Sequence, residues 1–70
     1  MKYLVVIEAT ESGHCAWSPD LPGCVATGLT REQARAAMRD SIRRHLDAMA
    51  AEGLRAPLPR AWSTYLDPGE

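Results

Sequence analysis

The tightest constraint on this chain is the stretch Ser18-Pro19-Asp20-Leu21-Pro22-Gly23-Cys24. Each proline fixes φ and removes a backbone N–H donor, and the residue before each is pushed toward extended geometry. Neither a helix nor a continuous strand ladder can run through such a segment, so it is a rigid corner. Apolar runs flank it on both sides, and an amphipathic segment follows. The corner therefore joins two extended segments and hands the chain on to a helix.

Upstream, Lys2 to Ala9 has the composition of a strand. Alternation places Tyr3, Val5 and Ile7 on one face and Leu4, Val6 and Glu8 on the other, and both faces are largely apolar. Thr10-Glu11-Ser12-Gly13 is a turn by composition, and His14 to Ser18 is a second strand that closes a hairpin with the first. After the corner, Cys24 to Thr27 is a short third strand ended by Gly28.

The helix carries the strongest local signals. Thr30 is a good N-cap, and Gln33 three residues on completes a capping box. Ala34, Ala37, Met38, Ile42, Leu46 and Met49 recur at three- and four-residue spacing and form one buried stripe. Gly53 is placed to end the helix in the left-handed conformation. Arg55 to Arg60, with Pro57 and Pro59, is an extended linker. Trp62 to Leu66 is a short final strand, and Asp67 to Glu70 a flexible tail. The expected order is βββαβ: an α+β domain in which one helix packs on a mainly antiparallel sheet.

Seventy residues make a single domain, residues 1–70, with little core to spare. A chain of this size buries only about 60% of its unfolded surface. Phenylalanine is absent, and the large apolar candidates reduce to Leu4, Val5, Val6, Ile7, Trp17, Val25, Ile42, Leu46 and Trp62. One helix covers one face of a sheet, whereas the first strand is apolar on two. A homo-oligomer, dimer or tetramer, or a separate protein partner is the expected cover for the second face; folding back of the Trp62 and Tyr65 segment is the intramolecular alternative.

Charge narrows the function classes. The net charge is −1, which provides no global basic field for a nucleic-acid backbone. No apolar run reaches the roughly 20 residues of a membrane span, and Lys2 precedes only a short strand with no signal-peptide cleavage site. A cytoplasmic protein with no membrane contact is expected. One local exception is the row Arg31, Arg35, Arg39 and Arg43, repeated every four residues along the helix. Guanidinium groups so arranged are able to track phosphates. The competing reading is a solvated face laced with ion pairs, since Glu32, Asp40 and Asp47 lie within one turn of the row.

Catalytic and metal chemistry find little footing. Cys15 and Cys24, with His14 and His45, lack the two-to-four-residue ligand spacing of zinc sites, and a cytosolic location favours free thiols over a disulfide. Ser12, Ser18, Ser41 and Ser63 sit in no nucleophile motif. Glu8, Asp20 and Asp40 are the carboxylates available for a metal-assisted hydrolysis, but Glu8 and Asp20 fall at opposite ends of the hairpin. A non-enzyme without metal or cofactor is expected.

The order Pro19-Asp20-Leu21-Pro22-Gly23-Cys24, then Ala26-Thr27-Gly28, set between a Tyr3–Glu8 strand and the helix start Thr30-Arg31-Glu32-Gln33-Ala34, resembles the HicB family of antitoxins. Leu46 through Glu52-Gly53-Leu54 to Pro57 also resembles that family's helix end and its proline-bearing exit. The resemblance covers Tyr3 to Pro57. It implies a truncated RNase H-like βββαβ fold lacking the nuclease carboxylates. It also implies a role in neutralising HicA, a small basic mRNA interferase, by direct binding. Family members commonly continue into a DNA-binding domain; here the chain stops after the last expected strand, so a stand-alone HicB-like domain without such a domain is expected. The matched residues Pro19, Pro22, Gly23, Thr30 and Gln33 shape the corner and cap the helix. Charge complementarity with a basic toxin singles out Glu8, Glu11 and Asp20 as contact residues. The alternative function is a nucleic-acid-binding module using Arg31, Arg35, Arg39 and Arg43.

Overall fold

The computed structural model describes residues 1–69. Strands β1 (Val6–Thr10), β2 (Gly13–Trp17) and β3 (Val25–Gly28) are followed by helix α1 (Arg31–Ala51). The three strands form one antiparallel sheet in the order β1-β2-β3. The α+β class, the hairpin and the capped helix match the expectation.

β1 is shorter than the expected Lys2–Ala9 strand, and the corner explains why. Val6 pairs with Trp17 at the end of the β1–β2 ladder. Continuing the register would set residues 5 and 4 opposite Ser18 and Pro19, and proline has no N–H to give. Residues 2–5 therefore run on beyond the ladder, although Tyr3 and Val5 still pack against the core.

The corner consists of two consecutive turns. The Leu21 amide donates to the Ser18 carbonyl at 3.2 Å, and the Cys24 amide donates to the Leu21 carbonyl at 3.1 Å. Gly23, at φ 84°, takes the left-handed conformation that a side chain would disfavour. The double turn drives Leu21 inward until it is 1% exposed. Leu21 and Met38 are the largest fully buried side chains, joined in the core by Ala16 and Cys24. Leu21 was absent from the expected large core residues, whereas Val25 and Trp62, which were among them, are exposed.

Helix α1 begins as expected and ends in a complete C-terminal motif. The Gln33 amide donates to Thr30 Oγ1 at 3.0 Å, while the Gln33 side-chain oxygen accepts from the Leu29 amide at 2.9 Å, one residue earlier than an ideal capping box. At the other end, the Gly53 amide reaches the Ala50 carbonyl and the Leu54 amide the Met49 carbonyl, with Gly53 at φ 74°. These are the paired bonds of a Schellman motif. Of the expected stripe, Ala34 and Met38 are fully buried, and Ala37, Ile42, Leu46 and Met49 are half-buried. β3 lies so close to the helix start that a Cβ on Gly28 would sit 2.5 Å from the Ala34 nitrogen.

The final strand expected at Trp62–Leu66 does not form; among the described residues no strand follows α1. The cause is local. After α1, the chain returns past the sheet end, where Tyr3 Oη donates to the Pro57 carbonyl at 2.6 Å. Asp20 Oδ2 then accepts from the amides of Arg60 and Ala61, both at 3.0 Å. This clamp holds residues 60–61 at the corner, and residues 62–66 beyond it join no ladder. Trp62 is 80% and Tyr65 100% exposed. The radius of gyration of 13.9 Å exceeds the ~11 Å of a compact chain of this length. In the expected tail, the Gly69 amide turns back onto Asp67 Oδ1 at 2.8 Å, and Glu70 lies outside the described residues.

Candidate functional site

Register divides the sheet into two unlike faces. Ile7, Ala16 and Ala26 are cross-strand partners and face α1. The neighbouring rows, Val6–Trp17–Val25 and Glu8–Cys15–Thr27, point the opposite way. No described element of the chain packs over them: Val25, Glu8, Thr27 and Trp17 are exposed, and Val6 and Cys15 are half-buried. The two-sided apolar character of the first strand is thus an uncovered sheet face.

That face carries a fixed acid. Trp17 Nε1 donates to Glu8 Oε1 at 2.8 Å, a diagonal cross-strand bond that holds the indole and the carboxylate side by side. Glu11 stands exposed in the β1–β2 turn, beyond the Glu8 end of the face. Asp20 is elsewhere, at the corner, with Oδ2 engaged by two backbone amides. Of the three acidic residues selected from sequence, the structure brings Glu8 and Glu11 to one end of the hairpin and leaves Asp20 at the other.

The four arginines 31, 35, 39 and 43 are all exposed along α1. Arg35 and Arg39 border a groove of about 560 Å³, whose other wall includes Lys2 and Tyr3. Pro19, Pro22 and Gly23 form the corner, and Thr30 and Gln33 the helix cap, as expected.

The remaining reactive side chains are dispersed. Cys15 and Cys24 are free thiols; Cys15 lies on the open face, and Cys24 is buried with its Sγ 3.3 Å from Ser41 Oγ. Ser41 Oγ in turn donates to the Val25 carbonyl at 3.3 Å, tying α1 to β3. Glu8, Asp20 and Asp40 lie on β1, the corner and α1. Among the described residues no three His, Cys, Asp or Glu side chains gather closely enough to hold a metal ion. No helix among the described residues is long and apolar enough to cross a membrane.

Two site features escaped the sequence reading. Trp17 was counted as core, although its alternation against buried Ala16 places it outward. The Asp20 clamp bridges 40 residues of sequence, and no local pattern announces it.

Known proteins agree with this architecture. Residues 3–69 match the family model described as HicB_like antitoxin of bacterial toxin-antitoxin system. The chain is 31% identical over 62 residues to UPF0150 protein Ta0767 of Thermoplasma acidophilum, covering 87% of this chain and 90% of that protein. Its fold superposes with a TM-score of 0.71 on a chain of the HicA3 and HicB3 toxin-antitoxin complex, at 27% identity, covering 84% of this chain and 70% of the other. With sequence and fold both matched over most of its length, the chain belongs to the HicB-like antitoxin family of bacterial toxin–antitoxin systems.

Proposed function

We infer that this protein is a non-catalytic antitoxin that neutralises a small, basic HicA-type toxin by binding it directly, in the cytoplasm. Family membership and the likeness to a chain of a toxin–antitoxin complex support the class of function. The observation that carries the binding mode is the uncovered sheet face, where Val6, Trp17 and Val25 adjoin the Glu8 carboxylate and Glu11 stands at the nearby turn. An apolar patch of this kind, rimmed by charge, is the usual anatomy of a protein-binding surface. Carboxylates on it complement the basic surface that an RNA-cleaving toxin presents, and speed encounter with it. Asp20 contributes by shaping the corner, its Oδ2 being committed to residues 60–61.

The test is co-expression with a HicA-type toxin, reading growth and measuring affinity by calorimetry. The wild-type chain should restore growth and form a stable complex. Trp17→Ser and the charge reversal Glu8→Lys/Glu11→Lys should each weaken binding at least tenfold while the helical circular dichroism is retained. Unchanged affinity in both variants would remove this face from the interface.

A second reading has its own observation: Lys2, Arg35 and Arg39 flank one groove, with Arg31 and Arg43 continuing the row. Nucleic acid bound there would show affinity falling steeply with salt. Filter binding at low salt that detects no retention of RNA or DNA eliminates it.

A further inference from the structure

We propose that the Glu8–Trp17 pair anchors a single arginine of the toxin, whose guanidinium pairs with the free oxygen of Glu8 and lies against the Trp17 indole. The proposal rests on the reading that the open sheet face is the toxin-binding surface, and it names the side chain which that face selects.

The pair is built before any partner arrives. Trp17 Nε1 donates to Glu8 Oε1 at 2.8 Å, and the two residues stand diagonally on neighbouring strands. That bond restricts the rotamers of both side chains, so little conformational freedom remains to be lost on binding. It also uses only one carboxylate oxygen. Among the side-chain hydrogen bonds of the described residues it is the only one that involves Glu8, which leaves Oε2 free. Trp17 is 38% exposed, so part of its ring stays open beside the carboxylate.

The charge has no partner on its own face. Strands β1, β2 and β3 contain no lysine or arginine. Arg31, Arg35, Arg39 and Arg43 belong to α1, which packs on the opposite face through Met38 and Ile42. The cross-strand row that holds Glu8 continues into Cys15 and Thr27, neither of them cationic. Glu11 in the nearby turn adds a second negative charge. The face thus presents an unneutralised anion next to an aromatic ring. The adjoining apolar row Val6–Trp17–Val25 excludes water once a partner covers it, and an ion pair gains strength as water leaves.

A guanidinium fits this corner better than an ammonium. It is planar and weakly hydrated, so it stacks on an indole while its edge N–H groups reach a carboxylate. A lysine ammonium is compact and strongly hydrated, and gives up more water for fewer contacts. Tryptophan and arginine are also the side chains that most often dominate the energy of protein interfaces.

The experiment is a double-mutant cycle between the whole chain and a HicA-type toxin, with affinities from calorimetry. Both side chains lie outside the core, and retained helical circular dichroism shows that each variant is folded. Glu8→Gln keeps an oxygen for the indole but removes the charge, and should weaken binding about tenfold or more. Trp17→Phe keeps an aromatic ring but frees the carboxylate, and should weaken it too. The double variant should bind no more weakly than the worse single one, because the two side chains act as a unit. On the toxin, each arginine is changed to lysine in turn. One such change should weaken binding to the wild-type chain and have no further effect on binding to Glu8→Gln. Wild-type affinity in either single variant, additive losses in the double variant, or a toxin with no arginine coupled to Glu8 overturns the proposal while leaving docking on the open face intact. A wild-type chain that does not bind the toxin overturns both.

Discussion

At the scale of single residues, the protein depends on side chains that local turns aim inward. Leu21 sits between two prolines and is held by turn bonds on either side, yet it is one of the two largest fully buried side chains. Leu21→Ala should destabilise the protein by about 2–5 kcal/mol in urea unfolding, the cost of a core cavity, whereas Val25→Ala on the exposed face should change little. Asp20 acts at longer range. Asp20→Ala should leave the sheet and helix intact while sharply increasing hydrogen exchange at the Arg60 and Ala61 amides, read residue by residue by NMR. Unchanged exchange there would mean that the return segment is held by Tyr3 alone.

At the scale of elements, glycines fix how closely the pieces approach. Gly28 lets the end of β3 touch the first turn of α1. Gly28→Val should cost at least ~1–3 kcal/mol, since the backbone atoms it meets have no room to yield. Gly53→Ala meets no neighbouring atom and acts only through its positive φ, so about 1 kcal/mol is expected in thermal unfolding. The helix was the most legible element in the sequence because its signals are local: Thr30, Gln33 and Gly53 each act within a few residues. Strand limits were less legible. The truncation of β1 depends on Pro19, which lies across the ladder and not beside the strand. The Trp62–Leu66 segment has a strand's composition, but a strand also needs a paired neighbour, and the Asp20 clamp just before it spans 40 residues of sequence and is invisible at short range.

At the scale of the whole molecule, the thin core and the uncovered surfaces have one origin. A single helix shields one face of a three-stranded sheet, and the chain has no second helix among the described residues for the other. Two kinds of surface stay open: a face bearing Trp17 and Glu8, and the outer edges of β1 and β3. They differ in what they offer: the face presents side chains, which suits a partner chosen by shape and charge, and the edges present backbone groups. The acidic residues on that face were legible from charge alone, but their grouping needed the register, which pairs Glu8 with Cys15 and sets it diagonal to Trp17.

The bond from the Trp17 indole to Glu8 has one more consequence. The protein has two tryptophans, both exposed: Trp17 on the open sheet face and Trp62 just beyond the Asp20 clamp. Indole emission moves to shorter wavelength when water is displaced from the ring, so the sheet face and the C-terminal segment each carry an optical label. With Trp62→Phe, covering of the sheet face is read as a blue shift of Trp17 alone; with Trp17→Phe, any burial of the segment after the clamp is read from Trp62. Two single-tryptophan proteins, each titrated with a HicA-type toxin, would report the two regions separately without any added dye.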